Sequence, residues 1–355
     1  MKKIVLTGGG SAGHVTPNIA LLPRLRELGY EISYIGSHEG IERKLIEAEG
    51  IPYYPISTGK FRRYFDVKNF SDPFRVIKGA QDAWHHLRAI DPDVIFSKGG
   101  FVSVPVVRSA AHLRIPVIAH ESDMTPGLAN KMCIPSAKVI CCNFPETLEK
   151  LPKGKAVLTG TPIRAELLEG DREKGLSFTG FSGKKPVVLV IGGSLGSVAV
   201  NRAVREALPE LLTTFDIVHL CGKDKTDPKL EGRQGYRQYE YISEELPDLF
   251  AMANVVVSRA GANAICEIAA LHKPNLLIPL PANSSRGDQL LNAQSFESRG
   301  FSVVFEEESL TTKKLIDTLR ELVANPDPYV KAMEASEQAD AIRIITELIE
   351  EYRRK

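Results

Sequence analysis

The amino-acid sequence predicts an α/β protein with two domains, each built on a parallel β-sheet. The length of 355 residues suits two domains of ordinary size. Short apolar runs alternate with longer helical patterns, as is typical of parallel strands covered by helices on both faces. The motif Gly-Gly-Ser-x-Gly also occurs twice, at residues 9–13 and 192–196, each time directly after an apolar run. The chain therefore opens twice with a strand, a glycine turn and a helix, as nucleotide-binding folds do.

Ten apolar runs are predicted to be strands, five in each half of the chain. In the first half these runs are 4–6, 32–35, 94–96, 117–119 and 139–141. In the second half they are 187–191, 217–220, 255–257, 275–278 and 303–305. We predict that the first domain spans 1–163 and the second 164–338, with 169–186 as a surface connection. The amphipathic stretch 339–355 is predicted to be a helix, which on this pattern alone suits either domain.

The composition favours a soluble cytosolic protein. The net charge of +1 gives no global attraction to nucleic acid, and we expect no nucleic-acid partner. The five cysteines form no C-x-x-C pair, which indicates reduced thiols. We find neither an apolar signal region at the start nor an apolar run of about 18 residues that would span a bilayer.

The first glycine loop suits phosphate binding, but it matches neither of two well-known fingerprints. Gly8, Gly10 and Gly13 satisfy G-x-G-x-x-G, yet no acidic residue follows the second predicted strand, which ends at Ile35. Gly13 is followed by His14 and not by the Lys of a P-loop. An NAD-dependent oxidoreductase therefore stays open only as an alternative. His14 is a candidate general base, because an imidazole with a pKa of about 6.5 suits that role, although it could simply pack beside the turn.

Other polar segments also follow predicted strands, where open α/β sheets bind ligands. These segments are 97–101, 120–123, 258–263 with Glu267 in the helix that follows, and 285–289. The sequence Asp-Pro-Asp at 91–93 resembles a metal–diphosphate motif, but it precedes a strand, so a turn is the preferred interpretation. The sequence offers no His, Cys and carboxylate cluster that demands a metal, and we expect neither a metal nor a cofactor.

Sequence blocks across nearly the whole chain resemble the MurG family, the UDP-N-acetylglucosamine transferases that convert lipid I to lipid II. In family order these blocks are 9–17, 99–103, 120–121, 127–131, 160–164, 192–196, 258–262, 267–269 and 288–293. The resemblance implies a GT-B fold, in which two Rossmann-like domains face each other across a cleft. It also implies that the helix at 339–355 returns to the first domain.

The resemblance implies a metal-independent, inverting transfer of N-acetylglucosamine from UDP-GlcNAc to the 4-hydroxyl of the muramyl sugar of lipid I. This reaction belongs to peptidoglycan synthesis, on which cell shape and division depend. The second domain would bind the donor through Arg164, Gly193 and Ser194 at the diphosphate, the backbone of Ile242 at the uracil, Ala262 along the nucleotide, Glu267 at the ribose and Gln289 at the sugar. In the first domain, Ser11, Ala12 and Gly13 would approach the donor sugar or the acceptor diphosphate. His14 is the candidate base, with Glu121 as its partner or rival.

This chain departs from the family pattern at a few positions, where Phe101, Asp123, Ala264 and Asp288 replace Tyr, Asn, Thr and Gln. These departures leave the phosphate-binding machinery intact. Two alternatives from the same fold stay open. A UDP-GlcNAc 2-epimerase would act on the donor without any acceptor, and a non-catalytic binding protein would hold the UDP-sugar and transfer nothing.

Basic and aromatic residues alternate between positions 60 and 84. They are Lys60, Phe61, Arg62, Arg63, Tyr64, Phe65, Lys68, Phe70, Phe74, Arg75, Lys78 and Trp84. Such a mixture suits an anionic lipid interface, and a basic surface loop with buried rings is an equal alternative. An acceptor on a lipid carrier requires docking at the bilayer, so we adopt the first interpretation. We therefore expect a peripheral protein at the cytoplasmic face of the cell membrane, with the anionic inner membrane surface as a partner.

Overall fold

The computed structural model describes residues 1–59, 72–193, 195–282, 287–336 and 340–355, with only the backbone given at 72–74. The chain divides into two compact units. Unit 1 comprises Met1–Arg164 and Ala339–Lys355, and unit 2 comprises Ala165–Gln338. Each unit contains a parallel sheet covered by helices, so the predicted fold class is confirmed.

Among the described residues of unit 1, a seven-stranded parallel sheet forms the core. Its strands are β1 Lys2–Thr7, β2 Tyr30–Ser37, β3 Tyr53–Ile56, β4 Val94–Ser97, β5 Val117–Glu121, β6 Val139–Cys142 and β7 Ala156–Leu158. Their order is β3-β2-β1-β4-β5-β6-β7, and every pair is parallel. The order reverses between β1 and β4, so the loops after these two strands flank the position where open α/β sheets bind ligands.

The sheet of unit 1 is covered by helices that follow its strands. They are α1 Thr16–Glu27, α2 Ile41–Ala48, α3 Asp72–Ile90, α4 Ser103–His112 and α5 Leu128–Cys133, with 3₁₀ helices at Ala12–His14, Ile134–Ser136 and Pro145–Lys150. The Asp-Pro-Asp turn precedes β4, as predicted, and Asp93 accepts a hydrogen bond from the backbone of Lys3 at 2.8 Å. It belongs to the framework of the sheet at the end away from the candidate site.

Among the described residues of unit 2, a six-stranded parallel sheet has the order β10-β9-β8-β11-β12-β13. Its strands are β8 Val187–Ile191, β9 Asp216–Leu220, β10 Tyr236–Tyr239, β11 Val255–Ser258, β12 Asn275–Leu277 and β13 Val303–Val304. Its helices are α6 Ala165–Leu168, α7 Arg172–Thr179, α8 Val198–Thr214, α9 Leu246–Met252, α10 Ala262–Ala270, α11 Asp288–Ser298, α12 Thr312–Ala324 and α13 Asp327–Ala335, with 3₁₀ helices at Pro228–Leu230 and Glu307–Ser309. The order reverses between β8 and β11, in the same way as between β1 and β4 in unit 1.

The prediction of a plain surface connection at 169–186 is wrong, because helix α7 lies within it. Asp171 caps the start of α7 by accepting a hydrogen bond from the backbone of Glu173 at 2.8 Å, and Gly180 ends it in a left-handed conformation. Gly175 packs so closely on α9 that an added Cβ would lie 2.5 Å from the carbonyl oxygen of Asp248. These capping residues and this contact outweigh the polar composition of the segment.

The last helix, α14 Ala341–Tyr352, packs within unit 1. Its side chains Ile345 and Ile349 are fully buried in the same apolar cluster as Leu21 and Leu25 of α1. Glu350 forms an ion pair with Lys2 of β1, with 2.7 Å between the Nζ and Oε2 atoms. Among the described residues, none of the helices combines the length and the apolar character that crossing a bilayer requires.

Candidate active site

Two glycine loops lie side by side at the carboxyl ends of β1 and β4 in unit 1. Gly10 has φ of +87°, and a Cβ built there would lie 2.5 Å from the ring of Phe101. Gly100 has φ of +80°, and a Cβ built there would lie 2.2 Å from the carbonyl oxygen of Gly9. Side chains at these positions would thus be strained and would separate the loops. The first loop therefore has its shape fixed by the second.

His14 lies at the end of the first glycine loop, in the 3₁₀ helix Ala12–His14 that leads into α1. Its Nδ1 atom is 2.8 Å from the hydroxyl oxygen of Ser11. This contact brings together two residues of the predicted site and fixes the orientation of the ring. If Nδ1–H donates to Ser11, the Nε2 atom carries a lone pair and is able to accept a proton. The arrangement thus provides a base at Nε2 in one tautomer.

Two buried side chains support the first glycine loop from the core of unit 1. The hydroxyl of Tyr34 donates to the carbonyl oxygen of Gly8 at 2.8 Å, and burial raises the pKa of Tyr34. The amide of Asn18 donates to the carbonyl oxygens of Thr7 and His14, each at 3.4 Å. These contacts tie both ends of the loop to β2 and α1. Neither residue was predicted to belong to the site.

Glu121 lies at the end of β5 and organises the loop that follows. One carboxylate oxygen accepts from the backbone of Asp123 at 3.0 Å. The other accepts from the backbone of Gly127 at 3.0 Å and from the Asn130 amide at 2.8 Å. Burial raises the pKa of Glu121. These contacts favour a positioning role for Glu121, and its role as a catalytic group stays a prediction.

A buried lysine lies at the end of β4, next to the second glycine loop. Lys98 is 1% exposed, and its ammonium donates to Nδ1 of His120 at 2.8 Å and to the hydroxyl of Ser122 at 2.5 Å. His120 directs its Nε2 atom at the carbonyl oxygen of Gly160, 2.9 Å away. Burial and the neighbouring Lys98 hold the pKa of His120 well below its ordinary value, so the imidazole is neutral and accepts from Lys98. The sequence placed both residues in polar segments without assigning them a role.

The glycine loop of unit 2 lies between β8 and α8. Gly196 has φ of +67°, and a Cβ there would lie 1.9 Å from the carbonyl oxygen of Cys221, so the loop fits closely on the turn after β9. Ser197 caps α8 by accepting from the backbone of Val200 at 3.2 Å. Among the residues that the structure describes, none lies within 4 Å of the position of a Cβ on Gly193. Helix N-termini that follow glycine loops bind phosphates where the backbone leaves room for them. Ser194 lies outside the described residues.

Arg259 connects the loops at the carboxyl edge of the sheet in unit 2. It is 8% exposed, and one of its terminal nitrogens donates to the carbonyl oxygens of Ile278 and Pro279, each at 3.0 Å. The other donates to the hydroxyl of Ser197 at 2.6 Å and forms an ion pair with Glu307. A single guanidinium thus joins the segments after β11, β12 and β13 to the start of α8. Sequence analysis predicted the segment 258–263 to belong to the site but assigned no role to Arg259.

The remaining predicted donor residues follow strands of unit 2 or, for Arg164, end unit 1. Ile242 is buried after β10, and Ala262 begins α10, which also carries the half-buried Glu267. The carboxamide oxygen of Gln289 accepts from the backbone of Leu280 at 2.9 Å. This contact fixes the orientation of the Gln289 amide. Among the described residues, three or more His, Cys, Asp or Glu side chains are nowhere grouped so as to hold a metal ion.

Comparisons with known proteins agree with this architecture. The N-terminal domain of glycosyltransferase family 28 matches residues 4–141, and the C-terminal domain of that family matches residues 187–348. A protein of Lachnoclostridium phytofermentans is 61% identical over 355 residues, covering 100% of both chains. A protein of Clostridium botulinum is 58% identical over 353 residues, covering 99% of both chains. Both are named UDP-N-acetylglucosamine–N-acetylmuramyl-(pentapeptide) pyrophosphoryl-undecaprenol N-acetylglucosamine transferase.

Two solved structures share the fold over the full length of the chain. MurG of Acinetobacter baumannii has a TM-score of 0.76 and 25% identity, covering 99% of this chain and 100% of that chain. A UDP-GlcNAc 2-epimerase of Neisseria meningitidis has a TM-score of 0.69 and 13% identity, covering 99% of this chain and 100% of that chain, and this likeness shows the fold alone. The two parallel-sheet units, the match to both family 28 domains and the similarity to MurG together define a glycosyltransferase of the GT-B fold. The chain belongs to glycosyltransferase family 28, which confirms the resemblance and excludes the oxidoreductase alternative.

Proposed function

We propose that this glycosyltransferase transfers N-acetylglucosamine from UDP-GlcNAc to the muramyl 4-hydroxyl of lipid I and thereby forms lipid II. The observation that carries the proposal is the 61% identity over the whole chain to a transferase named for this donor and this acceptor. Identity of this kind covers both units, so it includes the regions proposed for the donor and for the acceptor. The epimerase likeness rests on the fold at 13% identity and does not favour that alternative.

Unit 2 is proposed to bind the donor. The N-terminus of the long helix α8 and the room that the described residues leave at Gly193 support a diphosphate site, because unpaired N–H groups and the helix dipole favour anions at helix N-termini. Ser194 and Arg164, the residue directly before unit 2 in the chain, are proposed to bind the same diphosphate. A fixed positive group at the leaving diphosphate lowers the barrier as negative charge develops there. With Arg164 and a helix N-terminus in this role, the reaction proceeds without a metal.

The uridine and the sugar are proposed to contact the segments that follow strands of unit 2. The backbone at Ile242 is assigned to the uracil, and Ala262 lies along the nucleotide. Glu267 is assigned to the ribose, where a carboxylate accepts hydrogen bonds from both hydroxyls. Gln289 is assigned to the sugar hydroxyls. Its amide oxygen is engaged by Leu280, so its amide nitrogen is the group that donates to the sugar.

Unit 1 is proposed to bind the acceptor, with Ser11, Ala12 and Gly13 beside the reacting sugars. The acceptor 4-hydroxyl attacks the anomeric carbon, the bond from that carbon to the diphosphate oxygen breaks, and its electron pair leaves with UDP. His14 accepts the hydroxyl proton at Nε2, which requires the tautomer whose Nδ1–H donates to Ser11. This single displacement inverts the anomeric configuration. Its transition state has oxocarbenium character, by analogy with glycoside hydrolysis.

A peripheral position at the cytoplasmic face of the membrane is proposed for unit 1. Most of the basic and aromatic cluster, including Arg62 and Arg63, lies outside the described residues. On the described part of α3, Arg75 and Lys78 are exposed, and Ile77 between them is 59% exposed. An apolar side chain flanked by cations suits the headgroup region of an anionic bilayer. A lipid-linked acceptor would be reached from that surface.

The test is the release of UDP from UDP-GlcNAc in the presence of EDTA, with and without a lipid I analogue. We expect release only when the acceptor is present, together with a disaccharide product of inverted configuration. Release without acceptor would identify an epimerase or a hydrolase. UDP-sugar that binds but yields no UDP with the acceptor would identify a binding protein, and both of these results would overturn the proposal.

A further inference from the structure

We propose that Glu42 is a positioning residue for the transfer reaction, because its buried carboxylate holds the first glycine loop and thereby the base His14. The inference rests on the proposed function. Glu42 is the second residue of α2 and is 0% exposed. It shares the buried face of that helix with Ile46. Glutamate is almost never fully buried unless it is paired, so we expect hydrogen-bonding partners for the Glu42 carboxylate.

The partners of Glu42 come from the first glycine loop and from the end of β2. Its Oε2 atom accepts from the backbone N–H of Gly10 at 3.3 Å. Its Oε1 atom accepts from the backbone N–H of Ser37 at 3.2 Å and from the Ser37 hydroxyl. Hydrogen bonds to an ionised carboxylate are stronger than those between neutral groups. The carboxylate thus fixes the glycine loop to a central strand of the sheet.

The glycines around Glu42 make room for its carboxylate. A Cβ on Gly9 would lie 2.6 Å from the Oε1 atom of Glu42, and a Cβ on Gly40 would lie 2.1 Å from the same atom. Contacts this short do not occur, so a side chain at either position would displace Glu42 or the loop. The first glycine of the Gly-Gly-Ser-x-Gly motif in unit 1 therefore leaves the space that the Glu42 carboxylate occupies.

The second glycine of the matching motif in unit 2 has the same φ but a different environment. Gly10 and Gly193 occupy the same position of the motif, and both have φ of +87°. Phe101 fills the space beside Gly10, and Glu42 binds its N–H group, whereas no described residue fills the space beside Gly193. The N–H group at Gly10 is thus bound within the protein, and the described residues leave room beside Gly193. We infer that the loop of unit 1 serves as a rigid support for Ser11 and His14.

The substitution that tests this inference is Glu42→Gln in the full chain. A carboxamide has one acceptor oxygen and one donor nitrogen, so one of the two N–H groups that face Glu42 would meet another donor. We expect kcat with UDP-GlcNAc and a lipid I analogue to fall roughly 10- to 100-fold, because small misplacements of a catalytic group have effects of that size. The affinity for UDP, whose proposed contacts lie outside the first glycine loop, should be unchanged. Ser37→Ala removes one donor to Glu42 and should lower kcat selectively by a smaller factor.

The matched control is Glu47→Gln, the same substitution on the same helix, at an exposed residue paired with Arg43 at 2.9 Å. Its kcat should equal that of the unaltered protein. The ring NMR signals of His14, assigned through His14→Asn, give a readout that does not depend on turnover. They should shift in Glu42→Gln and stay in place in Glu47→Gln.

Three results would overturn the positioning role of Glu42. They are an unchanged kcat in Glu42→Gln, a loss of UDP affinity and thermal stability that parallels the loss of kcat, and unmoved His14 signals. If the unaltered protein itself transfers no sugar, the proposed function fails, and the NMR comparison still decides whether Glu42 holds His14. If Glu42→Gln does not fold, the comparison of Ser37→Ala with the unaltered protein decides, and an unchanged kcat together with unmoved His14 signals would refute the role.

Discussion

Replacing Arg259 by methionine should destabilise unit 2 selectively. The change removes every hydrogen bond from the guanidinium to Ile278, Pro279 and Ser197, and it leaves Glu307 without the ion pair that it now forms. Breaking a buried pair by removal of one partner typically costs about 3–5 kcal/mol. In a domain of 150–250 residues, each kcal/mol lowers the melting temperature by about 2–4 °C. The transition of unit 2 should therefore fall by roughly 6–20 °C.

Calorimetry and fluorescence together assign the effect of Arg259→Met to one unit. The chain has one tryptophan, Trp84, which lies on α3 of unit 1. Fluorescence of Trp84 thus follows unit 1, and calorimetry detects both units. The control is Arg320→Met in unit 2, where the ion pair with Glu210 is exposed and should contribute about 0–1 kcal/mol. A shift in Arg259→Met no larger than in this control, or one seen equally by fluorescence, would refute the assignment of Arg259 as the link between these loops.

Three further predictions concern the proposed chemistry and the stability of the chain. Arg164→Ala should keep its circular dichroism spectrum and lower kcat roughly 100- to 1,000-fold, as expected for loss of one charge-stabilising donor; unchanged kinetics would remove Arg164 from the mechanism. Burial lowers the pKa of His219 to about 3, so the unfolding free energy should decrease as the pH falls from about 6.5 towards 3, because only the unfolded chain binds a proton there. In urea titrations, His219→Gln should weaken this pH dependence, and an unaltered slope would contradict the assignment. Reversing the charges of Arg75 and Lys78 should weaken binding to anionic vesicles by at least about 1 kcal/mol per cation, while Arg172→Glu on unit 2 should not, and equal binding by both variants would argue against the proposed surface.

Most of the fold could be predicted from the sequence, because the central strands are covered on both faces and therefore appear as continuous apolar runs. All ten predicted strands are present. The three strands that were missed, β3, β7 and β10, each lie at an edge of a sheet. There one side is open, and the sequences Tyr-Tyr-Pro-Ile and Tyr-Arg-Gln-Tyr of β3 and β10 mix aromatic residues with proline or polar residues. Periodicity is weak in such segments.

The candidate site was predicted as a set of segments, but several contacts that organise it were not. The glycine motifs and His14 are local patterns, and the contact of His14 with Ser11 spans three residues. The contact between Glu42 and Gly10 spans 32 residues, and that between Arg259 and Ser197 spans 62. Such pairs form only when neighbouring strands bring distant segments together. A glutamate at a core position of an amphipathic helix, as in Glu42, was the signal that could have revealed the first of them.

The position of α14 has a consequence for synthesis on the ribosome. Unit 1 begins at Met1, but α14 follows the whole of unit 2 in the chain, and the ion pair of Lys2 with Glu350 joins residues 348 positions apart. Nascent chains emerge from their N-terminus, and domains generally fold as they are released. The apolar surface beside α1 on which Ile345 and Ile349 pack therefore stays uncovered until unit 2 has been synthesised. An exposed apolar surface of this kind is where chaperones bind and where incomplete chains aggregate. A translation product that stops before α14 would thus contain every residue of the proposed site and still be a target for quality control.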